Sequence, residues 1–150
     1  MSGPMTREAA SALENAAHEA SRRGDRRVGT DHLLLGLLHD PTVADSLGTD
    51  LEAARAAADR LDRAALAAIG LDLPTAPPST IRRRPGSASP TSGLRAAISR
   101  AVGLAAAERL RKAEPRHLLE ALLECRRPDP AAELLDALDL GPQIRTRAPR

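Results

Sequence analysis

Histidine, cysteine and carboxylate side chains are the residues that could make this 150-residue chain an enzyme or a metal protein. Cys125 stands alone, which excludes an internal disulfide and a cysteine-based zinc site. His32 and His39 lie on one predicted helix face, but no further histidine or cysteine completes a set at metal-site spacing. The acidic residues are spread among arginines, as on a solvated surface. We therefore predict no enzyme, no catalytic residue, no metal site and no cofactor.

Asp31 and His32 are the most distinctive polar pair, because they stand directly before a run of leucines. A helix over Asp31–His39 is predicted, since four of these leucines share one helical face. They are Leu33, Leu34, Leu37 and Leu38. Thr30 is predicted to cap this helix, because a threonine hydroxyl accepts a hydrogen bond from the first turn. The helix therefore holds Asp31 and His32 at its N-terminal end.

A longer helix is predicted upstream, over Thr6–Arg23, because small and apolar residues recur there at three- and four-residue steps. These residues are Ala9, Leu13, Ala16, Ala17 and Ala20. Thr6 is suited to cap this helix and Gly24 to end it. The two helices form one predicted pair.

The same pattern returns after a shift of 85 residues, which places Thr91 under Thr6. The matching residues are Leu94, Ile98, Ala101, Val102 and Ala105 for the first helix, and His117, Leu118, Leu119, Leu122 and Leu123 for the second. Agreement at so many positions without a gap indicates a tandem duplication. We therefore expect Leu34 and Leu119 to be equally buried.

Outside these helix pairs the two copies differ. Further helical segments are predicted over Val43–Leu47 and Leu51–Ile69 in the first copy, and over Pro130–Leu140 in the second. Leu71–Pro90 is rich in proline, serine and arginine and is predicted to be a linker. We expect a single all-α domain of about seven to eight helices, with repeat 1 at about 5–70, the linker at about 71–90, repeat 2 at about 91–140 and a tail at 141–150.

The chain has no aromatic residue, which removes the platforms on which single-stranded nucleic acid stacks. Its formal net charge is +2, but Arg82–Arg84 and the arginines of Arg145–Arg150 lie in the linker and tail, so the rest of the chain is mildly acidic. Solubilising charge explains these arginines, and contact with nucleic acid is the alternative. The longest apolar run, Leu33–Leu38, is too short to span a bilayer, and no signal-peptide pattern precedes Thr6. We expect a soluble, cytoplasmic protein with no membrane partner.

Residues 28–38 carry a resemblance to a known family, and they read Val-Gly-Thr-Asp-His-Leu-Leu-Leu-Gly-Leu-Leu. The segment closely resembles the hallmark of the Clp N-terminal domain, in which Gly-Thr-Glu-His-Ile/Leu-Leu-Leu-Gly-Leu opens the second helix of each repeat. The 26 residues between the capping threonine and the histidine, from Thr6 to His32 and again from Thr91 to His117, also match that family. The resemblance extends over Met5–Leu140.

The resemblance implies a bundle of two four-helix repeats related by a pseudo-twofold axis. It also implies a non-catalytic protein- or peptide-binding module, since such domains receive substrates and adaptor proteins for Clp unfoldases. The sequence holds no G-x-x-x-x-G-K-[ST] phosphate loop. We therefore expect a stand-alone accessory or decoy of a Clp protease system, without ATP-driven unfolding of its own.

In ClpC-like members, an acid before each motif histidine helps to bind phosphoarginine. The resemblance places Asp31 in that position and implies Thr6 and Thr30 as further ligand-binding residues. The second copy has Arg116 at the equivalent position, so we expect at most one such site. Cyclic peptides are a further partner class implied by the family, although some members hold them with phenylalanines that this chain lacks.

Two alternatives stay open for these residues and for the function. Asp31 either binds a ligand or only complements the dipole at the start of its helix. His32 and His117 hold equivalent positions, which favours a shared structural role, as for the motif leucines Leu33, Leu34, Leu118 and Leu119. The alternative function is that of a basic-tailed, nucleic-acid-associated protein.

Overall fold

The computed structural model describes residues 3–70 and 88–140, and most of its helices begin at capping side chains present in the sequence. Thr6 accepts the N–H of Ala9 at the start of the first helix, and Gly24 ends that helix with a φ of 75°. Four further helices begin at the side-chain caps Asp40, Asp50, Thr91 and Asp129. The helices are α1 (Arg7–Arg23), α2 (Thr30–Leu37), α3 (Pro41–Leu47), α4 (Leu51–Ala68), α5 (Ser92–Ala107), α6 (Pro115–Leu123) and α7 (Pro130–Ala137).

The all-α prediction is confirmed, with seven helices in the described part of the chain. Helix α2 begins one residue before the predicted Asp31–His39 segment and ends two residues before its end. Two short strands, β1 (Arg27–Val28) and β2 (Ser89–Pro90), pair in parallel. Strand β2 therefore takes up the end of the predicted linker. Residues 71–87 and 141–150, with both arginine runs, lie outside the described residues.

The two repeats exchange backbone contacts where their first helices begin. The N–H of Thr6 donates to the carbonyl of Ala113 over 2.9 Å. The N–H of Thr91 donates to the carbonyl of Val28, also over 2.9 Å. These contacts coincide under the 85-residue shift. Each repeat thus starts its first helix against the loop that precedes the second helix of the other repeat.

Helix α2 lies at the centre of the bundle, and every one of its residues except Asp31 is buried. Because no aromatic side chain is available, leucines and alanines fill the core at short helix-to-helix distances. Gly36 allows α2 to lie directly against the backbone of α1. A Cβ at this position would lie 2.3 Å from the carbonyl oxygen of Ala12 and 2.7 Å from the nitrogen of Ala16. The fully buried leucines are Leu33, Leu34, Leu35, Leu37, Leu118, Leu122, Leu134 and Leu135.

The prediction that Leu34 and Leu119 are equally buried is wrong. Leu34 is fully buried, whereas Leu119 is only partly buried and lines a cavity. Helix α2 contacts helices of both repeats, including α4 and α7. Within residues 88–140, the second repeat has no helix equivalent to α4. The preceding pair, Leu33 and Leu118, is fully buried in both repeats.

Candidate functional site

His32 and His117 close the first turns of α2 and α6 in the same way. His32 Nδ1 accepts the N–H of Gly29, and His117 Nδ1 accepts the N–H of Glu114, each over 2.9 Å. His32 Nε2 also donates to Asp25 Oδ2 over 2.7 Å. His117 Nε2 lies 3.4 Å from Glu108 Oε2, a longer contact than that of His32 Nε2 with Asp25. Both rings are buried and act as reciprocal caps of the helix that carries them.

The sequence predicted that Thr30 caps α2, and this prediction is wrong. Gly29 holds the N-cap position of α2. The Thr30 hydroxyl donates instead to Asp129 Oδ1 over 2.7 Å and accepts the N–H of Ala131 over 3.2 Å. It therefore helps to cap α7, a helix of the other repeat. The side chain is 1% exposed, so a ligand reaches it only if α2 and α7 separate.

Asp31 lies at the junction where α2 begins beside α5. Its side chain is 26% exposed, and its Oδ1 lies 3.5 Å from His32 Nδ1. A Cβ on Gly29 would lie 2.8 Å from that Oδ1 and 3.9 Å from Thr91 Cγ2. The glycine therefore makes room for the carboxylate beside the cap of α5. The sequence-based prediction grouped Asp31 with Thr6 and missed Thr91. The backbone contact of Thr91 with Val28 of the first repeat brings Thr91 to the start of α2.

Three further carboxylates surround Asp31, and we call Asp25, Asp31, Asp59 and Asp62 together the acidic junction. Asp25, Asp59 and Asp62 form ion pairs with Arg23, whose side chain is 7% exposed; its Nη1 lies 3.2 Å from Asp59 Oδ1 and its Nε lies 3.5 Å from Asp25 Oδ2. The pKa of Asp62 is raised, first by desolvation, although its side chain is 66% exposed, and then by repulsion from the other three carboxylates against the attraction of Arg23. Burial favours the protonated form of Asp25, but the hydrogen bonds from His32 and Arg23 outweigh this effect. The pKa of Asp25 therefore lies below its ordinary value. Arg23 offsets part of the charge of Asp25, Asp59 and Asp62, and Asp31 lies outside these ion pairs.

Arg116 stands in the second repeat where Asp31 stands in the first, and it is fully engaged. Its Nη2 lies 2.6 Å from Glu108 Oε2, and its Nε lies 2.7 Å from Glu114 Oε2. Hydrogen bonds to Glu108 and then Glu114 raise the pKa of Arg116 further above its ordinary value. Because two carboxylates offset its charge, Arg116 is a poor anchor for a ligand phosphate.

Thr6 lies on the Arg116 side, at the edge of a cavity of about 480 Å³ between two helices. We call this cavity the α3–α6 groove; it is lined by Thr42, Val43 and Ser46 from α3 and by Pro115, Arg116 and Leu119 from α6. Thr6 and Asp31 therefore belong to two different junctions of the repeats. The sequence-based grouping of Thr6, Thr30 and Asp31 does not form one site.

Pro115 lines the open groove on its α6 side. It holds the position equivalent to Thr30 but has no hydroxyl to bond to the neighbouring helix. Among the described residues, Asp40, the cap of α3, accepts from its own helix, through the N–H of Thr42 over 2.9 Å. Without a bridge like that from Thr30 to Asp129, α3 does not close on α6 as α7 closes on α2.

A smaller cavity of about 320 Å³ adjoins the groove, between α1 and the end of α2. Glu8, Asp40 and Pro115 line both cavities, while Arg7 and His39 line only the smaller one. Glu8 and Asp40 form no ion pair with any residue that the structure describes. The shared edge of the two cavities therefore carries two carboxylates whose charge is not offset.

Within residues 3–70 and 88–140, no group of three or more histidine, cysteine or acidic side chains has an arrangement that could hold a metal ion. Cys125 is partly buried, and its Sγ lies 3.5 Å from the carbonyl oxygen of Ala121 one turn earlier. None of the described helices combines the length and the apolar character needed to cross a membrane.

Comparison with known proteins relates this geometry to a family. The family model of the Clp repeat (R) N-terminal domain matches residues 4–138. The N-terminal domain of the caseinolytic protease associated chaperone ClpD from Arabidopsis thaliana is 20% identical, with a TM-score of 0.68 over 96% of this chain and 94% of that chain. A chain from preliminary structural investigations of a malarial protein secretion system is 15% identical, with a TM-score of 0.65 over 97% and 92%. Comparison with curated proteins finds no match.

Proposed function

Because this chain belongs to the family of Clp repeat N-terminal domains, we propose that it is a non-catalytic, protein-binding accessory or decoy of a Clp protease system. Its partners are substrates of a Clp ATPase or adaptor proteins. The observation that carries the proposal is the partly exposed carboxylate of Asp31, held inside the acidic junction where the two repeats meet.

The acidic junction suits a side chain derived from arginine. A guanidinium group presents planar N–H donors that a carboxylate such as Asp31 accepts in pairs. The helices α2 and α5 begin on either side, and helix N-termini favour phosphate through free N–H groups and the helix dipole. Phosphoarginine joins these two groups in one side chain. We assign it to this junction as the ligand, at one site per chain, since Arg116 replaces the acid at the other junction.

Isothermal titration calorimetry with a phosphoarginine peptide tests this assignment. We expect one site per chain, and we expect Asp31→Asn to weaken binding by about tenfold, equivalent to roughly 1.4 kcal/mol for a lost charged hydrogen bond. Asp45→Asn is the control, because Asp45 is an exposed acid on α3 away from the acidic junction. Two sites per chain, or an unchanged affinity in Asp31→Asn, would contradict the assignment.

An affinity pull-down with mass spectrometry tests the wider function. The full chain is expected to recover a Clp ATPase, one of its adaptors or a degradation substrate. Failure to recover any of these, together with no binding of the phosphoarginine peptide, would overturn the proposed function.

A further inference from the structure

We infer that the α3–α6 groove is a second docking site, for an unmodified peptide with a basic side chain next to a leucine-sized apolar one. The inference rests on the proposed protein-binding function but concerns another place and another ligand chemistry than the acidic junction. Glu8 and Asp40 bind the basic side chain, and Val43 and Leu119 contact the apolar one.

The apolar part of the site comes from the difference between the repeats. Leu119 is partly exposed in the groove, although its equivalent, Leu34, has no exposed surface. Val43 of α3 lines the same groove. The volume of about 480 Å³ falls within the range of ligand pockets. An apolar side chain that enters the groove removes the exposed surface of Leu119 from water, which favours binding.

The charged part of the site is the edge that the groove shares with the smaller cavity. Glu8 and Asp40 line both cavities and are not ion-paired with any described residue. Arg116 also lines the groove, but its two carboxylate partners offset its charge. Arg7 lines only the smaller cavity. Arg7 forms no ion pair with a described residue, so one unpaired arginine stands against two unpaired carboxylates, and the net charge of the shared edge is negative, which is complementary to a lysine or an arginine.

The junction where Thr30 bonds to Asp129 has no equivalent of the edge formed by Glu8 and Asp40. Gly93 holds the position that corresponds to Glu8, so the acid is missing there. A Cβ at Gly93 would lie 3.4 Å from Asp129 Oδ2, and Thr30 bonds to the same aspartate. Groove and acidic edge thus occur together on only one side of the part of the chain that the structure describes.

Fluorescence anisotropy with the full chain tests this inference, using a fluorescein-labelled hexapeptide with arginine and leucine at its centre and alanine elsewhere. Replacing the arginine by glutamate, or the leucine by serine, is expected to weaken binding by about tenfold. The Glu8→Gln/Asp40→Asn double variant is expected to weaken it by a similar factor, about tenfold. Asparagine caps helices as well as aspartate does, so Asp40→Asn keeps α3 capped. Asp45→Asn is the matched control and leaves binding unchanged.

Nuclear magnetic resonance locates the bound peptide independently of affinity. We expect the hexapeptide to shift the resonances of Val43 and Leu119 and to leave those of Asp31 in place. Asp31→Asn is expected to bind the hexapeptide as tightly as the unchanged chain does. This result separates the groove from the phosphoarginine site.

Four outcomes overturn the inference. If Asp31→Asn abolishes hexapeptide binding while the double variant retains it, peptides bind at the acidic junction. If no hexapeptide binds but the pull-down recovers Clp proteins, the groove is not a docking site and the proposed function stands. If light scattering shows a dimer that the hexapeptide disperses, a second copy fills the groove. If removal of residues 141–150 raises the affinity about tenfold, the tail of the chain itself fills it.

Discussion

The hydroxyl of Thr30 donates to Asp129 Oδ1 over 2.7 Å and so joins the central helix of the first repeat to the last described helix of the second. The same oxygen accepts the N–H of Ala131. Pro115 replaces Thr30 in the second repeat and cannot form this bridge to Asp40. The junction that has the Thr30 hydroxyl is closed, whereas the junction that has Pro115 in its place contains the α3–α6 groove.

Thr30→Val removes that hydroxyl while keeping the shape of the side chain. Two buried hydrogen bonds are lost, so we expect the free energy of unfolding to fall by about 1–2 kcal/mol in urea denaturation. Amide exchange at Ala131 is expected to speed up as well. Thr42→Val, on the exposed side of α3, is the control and is expected to change stability by less than about 0.5 kcal/mol. Equal losses in both variants would show that the bridge contributes nothing.

Gly36→Ala tests the close contact between α1 and α2. The added methyl group would lie 2.3 Å from a backbone oxygen of Ala12, which cannot move without displacing α1. We expect a loss of about 3 kcal/mol in thermal denaturation, at the upper end for overpacking. Gly103→Ala, in the exposed middle of α5 with nothing within 4 Å, is the control and is expected to gain about 0.5–1 kcal/mol. A neutral Gly36→Ala would mean that the two helices can separate freely.

Leu34→Ala and Leu119→Ala measure how far the duplication extends into the core. Leu34 is fully buried, so its truncation is expected to cost about 3–5 kcal/mol. Leu119 is partly exposed in the α3–α6 groove, and its truncation is expected to cost about 1–2 kcal/mol. Denaturant titration of both variants gives the comparison. Equal costs would contradict the difference in burial between the repeats.

Glu19 is a buried carboxylate that joins α1 to α4 and to the turn between α2 and α3. Its Oε1 accepts from Arg55 Nη2 over 2.5 Å and from His39 Nε2 over 2.9 Å. Burial raises the pKa of Glu19, but the hydrogen bonds from Arg55 and His39 outweigh this effect and lower it below the ordinary value of 4.5. Glu19→Gln leaves Arg55 without its buried partner, and we expect a loss of about 3 kcal/mol at pH 7.

The lowered pKa of Glu19 also predicts how this loss depends on pH. A lowered pKa stabilises the folded state above the ordinary value, and the contribution disappears as the pH falls below 4.5 through the folded value. The difference between Glu19→Gln and the unchanged chain should therefore shrink as the pH falls below 4.5. Thermal melts between pH 7 and pH 3 measure it. A difference that stays constant across this range would show that Glu19 acts by packing alone.

The repeat and the helices could be predicted because local interactions determine them. Apolar spacing, the capping residues Thr6 and Thr91, and the stop at Gly24 act within one or two turns, and the structure has helices at these places. Thr30 shows the limit of this reasoning. A threonine before a helix usually caps it, yet this one bonds to Asp129, 99 residues away. Sequence spacing carries no information about such a contact.

The tertiary structure decided which residues of the two repeats lie side by side at each junction. The sequence determined that the chain has two similar helix pairs, that Asp31 has no acidic counterpart, and that both motif histidines recur. Only the packing of the repeats placed Thr91 beside Asp31 and Thr6 beside Pro115, because each first helix begins against the other repeat. The tertiary structure also decided that Leu119 is partly exposed while Leu34 is buried. Burial depends on which helices cover a residue, and in this chain those helices come from distant parts of the sequence.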